Sequence, residues 1–71
     1  MAFSTAQYDK LERAITNGSR MSFFRRGTEF IVVPERLRVV QGRELIEARH
    51  PSTGHRLEIL VEEIDFFEVI A

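Results

Sequence analysis

The stretch ELIEARH-PSTG-HRLEILVE, residues 44–62, decides the reading of the fold. Two strand-like runs, Glu44–His50 and Arg56–Glu62, flank Pro51-Ser52-Thr53-Gly54. The proline presets φ for the opening position of a turn, and the glycine accepts the left-handed closing position, so the segment predicts a β-hairpin. Turn signals continue on both sides. Gln41-Gly42 follows Leu37–Val40, and Pro34 ends or edges Glu29–Val33 because it cannot donate to a ladder. Arg26-Gly27-Thr28 turns after Met21–Arg25, and an acidic break at Glu62-Glu63 precedes Ile64–Ile70. This spacing predicts five short strands in a nearly all-antiparallel meander.

A helix precedes them. Ser4 is placed as N-cap with Gln7 three residues on to complete a capping box, and Phe3 faces Tyr8 as a hydrophobic staple. Tyr8, Leu11, Ala14 and Ile15 form an apolar stripe, Asp9 and Arg13 an i,i+4 pair, and Asn17-Gly18 the end. Five short strands in 71 residues cannot bury both faces of an open sheet. The fold predicted for residues 1–71 is therefore a single α+β domain, mostly β: an N-terminal helix followed by a five-stranded antiparallel SH3/Sm-like barrel. Phe23, Val32, Leu45, Leu57, Ile59 and Val61 are its expected core, with Leu11 and Ile15 packed on it.

Composition narrows the function classes. The chain has no cysteine, which removes disulfides, zinc–thiolate sites and thiol nucleophiles, and fits a reducing cytoplasm. No apolar run approaches the length of a membrane span, and no export signal opens the chain. Net charge is −1, but residues 1–43 carry eight Lys/Arg against four acids, and residues 44–71 carry two against seven. Nine of the ten basic residues are arginine, whose planar fork suits either Arg–Glu ladders or an anionic partner.

The residues offer little for catalysis: two histidines, isolated turn glycines and carboxylates without a recognised spacing. No cofactor, metal site or catalytic residue is expected. Three groups stand out as candidate sites. Arg25, Arg26, Arg36, Arg38 and Arg43 would serve an anionic ligand or, more weakly, nucleic acid. Arg49, His50, His55 and Arg56 meet at the tip of the clearest hairpin, where like charges would oppose one another, so that a bulge shifts the register, the tip stays solvated, or it binds something anionic. Glu62, Glu63, Asp65, Phe66, Phe67 and Glu68 would serve a protein interface. In Phe23-Phe24 and Phe66-Phe67 only one ring of each pair can point inward, and the outward rings either lie under the helix or form an exposed patch.

Leu11–Ile15 followed by Met21–Gly27, then Phe30–Leu37 with its closing Pro34, resemble the WYL domain, a ligand-sensing module of bacterial transcriptional regulators built on an Sm-like barrel behind a helix. Glu44, Leu45 and Ile46 stand where that family has its Trp-Tyr-Leu signature, and Leu60 and Glu63 where it has arginines. Tyr8–Ala14 and Glu44–Ile46 also resemble Sm-like inhibitors of the transcription termination factor Rho. The first resemblance implies a non-catalytic regulatory or ligand-sensing module for an anionic, nucleotide or nucleic-acid ligand. The second implies a protein-binding adaptor or inhibitor that uses its acidic C-terminal hairpin and exposed phenylalanines. Composition implies a cytoplasmic protein without a membrane partner, and the short chain with its Phe66-Phe67 pair implies a monomer or homodimer, with self-association through the C-terminal strand.

Overall fold

The structure, a computed structural model, describes residues 3–70. Helix α1 spans Thr5–Asn17, followed by β1 (Arg20–Arg25), β2 (Thr28–Val40), β3 (Arg43–Arg49), β4 (Arg56–Leu60), a 3-10 turn at Val61–Glu63, and β5 (Phe66–Ile70). The predicted capping box forms: the Gln7 amide donates to Ser4 Oγ at 3.2 Å, and the Ser4 amide to Gln7 Oε1 at 2.7 Å. The Phe3 and Tyr8 rings meet edge-on at 5.4 Å, and Gly18 closes the helix at φ 66°. Arg13 reaches the backbone oxygen of Asp9 at 3.4 Å rather than its carboxylate.

All strand pairs are antiparallel, in the order β4-β3-β2-β1-β5. The fold is therefore the predicted one in class, helix first and mostly β. It differs in closure: among the described residues β4 pairs only with β3 and β5 only with β1, so no ladder joins the two ends of the sheet. The 3-10 turn at Val61–Glu63 takes the chain out of β4 before β5 begins. The predicted strands Arg56–Glu62 and Ile64–Ile70 are correspondingly shorter in the structure.

The largest departure is β2. Pro34 was expected to end or edge a strand, yet one strand of 13 residues runs through it. Its first part pairs with β1 as far as Val32, and its second pairs with β3 from Val33 onward, with a register shift between Pro34 and Arg36. A proline is tolerated at such a bulge, where the ladder is already interrupted. The bend turns one strand into a member of both halves of the sheet.

Phe23, Val32, Ile59 and Val61 are buried as expected, together with Leu11, Ala14, Met21, Ile46, Ala48, Ile64 and Phe67. Leu45 and Leu57 are only half-buried. In β3 the inward phase belongs to Ile46 and Ala48, because Ile46 pairs with Ile59 and Ala48 with Leu57, while Leu45 pairs with Leu60 on the other face. Leu57 and Ile15 pack at the margin of the core. Among the described residues no helix is long and apolar enough to cross a membrane.

Candidate functional site

The arginines singled out for an anionic ligand lie mostly against carboxylates. Arg36 and Arg38 both engage Glu47, the former at 3.2 Å, and Arg43 engages Glu62. Arg25 sits 3.4 Å from Glu63 with its guanidinium 4.8 Å above the Phe30 ring. Only Arg26 of the five keeps its guanidinium clear of a carboxylate among the described residues. Its backbone N–H donates to Asp65 Oδ2 at 3.0 Å, which ties the β1–β2 turn to the entry of β5. The Arg38 hydrogen bond, and after it those from Arg36, hold the Glu47 carboxyl below the usual carboxylate range despite its partial burial.

The hairpin tip forms without a bulge. Arg49 pairs with Arg56 and Glu47 with Glu58 in straight register, so like charges do stand opposite each other. The conflict is relieved sideways. Arg49 reaches Glu35, the residue at the β2 bulge, at 2.9 Å, and Glu47 turns to the two β2 arginines. The exposed loop is held by its own backbone: the His50 N–H donates to His55 O at 2.8 Å, and the Gly54 N–H to His50 O at 2.9 Å. His50 Nδ1 accepts from the backbone N–H groups of Ser52 and Thr53. His50 and His55 belong to no metal-holding group of side chains among the described residues.

The proposed interface residues separate into two sets. Glu62, Glu63 and Asp65 are engaged by Arg43, Arg25 and the Arg26 amide, and Phe67 is buried against Phe23 and Phe3 at ring distances of 5.9 and 5.0 Å. Phe66 and Glu68 remain open on the opposite face. Register settles the question of the paired phenylalanines: Phe23 pairs with Phe67 on the inside, and Phe24 with Phe66 on the outside. The outer rings meet at 5.6 Å, tilted by 39°, and Phe66 is 51% exposed. They do not lie under the helix, which meets the inner ring Phe67 through Phe3 instead.

Sequence reasoning missed the neighbours of this pair. Ile31 and Ile70 share the outer face of β5-β1-β2 with Phe24 and Phe66, and both are exposed. Between them Ser22, small and buried, donates its hydroxyl to Glu29 and leaves the centre of the face low. Strand alternation alone would place Ile31 opposite Phe30, but only the register brings Ile31 and Ile70 beside the phenylalanines.

A groove of about 610 Å³ runs between α1 and β5, lined by Lys10, Arg13, Ala14 and the β5 residues from Phe66 to Val69. Residues from both faces of β5 line it and none from β1 does, which places it along the unpaired edge of the strand. Elsewhere on α1 the Tyr8 hydroxyl donates to Glu44 of β3, and this bond, with burial second, raises the Tyr8 pKa. Comparison with family models, curated proteins and solved structures finds no match.

Proposed function

We propose that this chain is a non-catalytic protein-binding module that engages its partner along β5. The observation that carries the reading is the Phe24–Phe66 pair, in tilted ring contact and half open to solvent, beside a strand edge that no other strand covers among the described residues. An exposed apolar face of this kind on a small domain marks an interaction surface. Glu29 and Glu68 border it, so the partner surface is apolar at its centre and basic where it meets those two carboxylates. This keeps the adaptor role implied by the resemblance to Rho inhibitors, but moves its residues from the acidic run at 62–65 to the outer face.

Photo-crosslinking in cells tests it. A crosslinking amino acid at position 31 or 66 gives one common adduct and the same residue at position 58 gives none; equal capture from all three positions overturns the assignment. A WYL-like role with an anionic ligand rests on Arg26, which shares a small polar pocket with Arg25, Thr28, Phe30 and Glu63. Nucleotide binding that Arg26→Glu abolishes would favour that second reading.

A further inference from the structure

Resting on that reading, we infer that the partner supplies an extended segment of alternating apolar and acidic residues, which adds to β5 as an extra strand inside the groove beneath α1. Three features converge on this occupant. The outer backbone edge of β5 is unpaired among the described residues, and addition of a strand to such an edge is a general mode of peptide recognition. The outer side of that edge carries the exposed Phe66 and Ile70, which meet the apolar side chains of an added strand, so its alternate, acidic side chains point inward into the groove. Its helical wall presents Lys10 and Arg13, neither of which has a carboxylate partner among the described residues.

The charge pattern chooses between occupants. Arg25, Arg36, Arg38, Arg43 and Arg49 are each matched to a glutamate within the chain; of the five cations without a carboxylate partner among the described residues, Lys10 and Arg13 are the two that face the groove. An acidic side chain on the incoming strand supplies what they lack. A second copy of this chain fits worse. With β5 pairing antiparallel to its own copy about position 68, Phe66 would meet Ile70 favourably, but Glu68 would face Glu68, and both helices would bring Lys10 and Arg13 to the same junction.

Hydrogen exchange and chemical-shift titration of the full chain test the proposal with two short synthetic peptides, one alternating valine and glutamate, the other valine and lysine. The acidic peptide is expected to protect the amides of Phe66–Ile70 and to shift Lys10 and Arg13, with the lysine peptide weaker by roughly tenfold, since two exposed ion pairs turn repulsive. Lys10→Glu combined with Arg13→Glu should reverse the preference, and Lys10→Gln with Arg13→Gln should abolish it; both positions are exposed, so the fold is kept. No protection of β5 by the acidic peptide, or an unchanged preference in the reversed variant, overturns the inference. So does protection of β5 in the protein alone at high concentration, which identifies a second copy, or an oligonucleotide that shifts Lys10 and Arg13 and displaces the peptide. Failure here alongside position-specific crosslinking at 31 and 66 rejects the strand-addition mode and leaves the outer-face reading standing; loss of both rejects the binding module itself.

Discussion

The two halves of the sheet share β2 and differ in what their outer faces leave unsatisfied. On β2-β3-β4, Arg36 and Arg38 converge on Glu47, and Arg43 meets Glu62, so a face dense in charge has little left to offer a ligand. On β5-β1-β2, the outward residues are Phe24, Ile31, Phe66 and Ile70, with charge only at Glu29, Glu68 and Arg20. A charged face can saturate itself within the chain, because opposite charges in adjacent strands pair in register. An apolar outer face cannot, since its only relief is burial against something else. The arginines that look most ready for a ligand are therefore the least available, while the plainer side chains stay open to solvent.

The strongest way to break the comparison is to treat the two members of an aromatic pair alike. Phe23 is fully buried, so Phe23→Ala should cost about 3–5 kcal/mol, enough to unfold much of a domain this small. Phe66→Ala should cost about 1 kcal/mol or less, the loss of a partly exposed ring contact with Phe24. Urea denaturation of both variants measures the gap, and equal losses would erase the distinction between inner and outer rings.

The halves should answer alike where they are built alike. Each contains a two-residue turn with positive φ at both positions, Arg26-Gly27 in one and Gln41-Gly42 in the other, as the twist of a hairpin requires. Gly27→Ala and Gly42→Ala meet no steric neighbour, so each should cost only the left-handed penalty of about 1–2 kcal/mol. Thermal melts showing one turn far more sensitive than the other would mean that the halves differ in backbone strain as well as in surface.

Tyr8, the single tyrosine, links the helix to β3 through Glu44. Tyr8→Phe should lose about 1 kcal/mol, the net worth of one hydrogen bond. Because its pKa is raised in the folded chain, the associated stability is present below the ordinary phenol value and is lost as pH rises through the folded one. Phenolate absorbance should appear later than in a free tyrosine, and Glu44→Ala should bring it back toward the ordinary value.

Acid titration sharpens the comparison most gently. The Glu47 carboxyl is depressed by Arg38 and Arg36, so its contribution is present above the ordinary carboxylate value and disappears as pH falls through the lower folded value. Stability should therefore decline on acidification with a slope that Glu47→Gln flattens and that added salt weakens. Ile31→Ser on the other half should leave that slope unchanged.

Much of the fold was legible before the structure. The capping box at Ser4 and Gln7, the stops at Gly18, Gly27, Gly42 and Gly54, and the hairpin around Pro51–Gly54 depend on residues within a few positions of one another. Local torsion preferences and short-range hydrogen bonds determine such features, so the sequence by itself settled the order of helix and strands and the necessity that one phenylalanine of each pair point outward. Register and bending were decided only in three dimensions. Whether Leu45 or Ile46 faces the core depends on which β4 residue lies opposite, and a shift of one position exchanges the two faces. Pro34 sits inside β2 because a bulge and a change of partner strand coincide there. The pairing of each arginine depends on carboxylates far away in sequence, Arg25 on Glu63 and Arg43 on Glu62 among them. The same holds for the groove, because Lys10 and Val69 come to line one edge only when the last strand returns to the first and leaves its other side open.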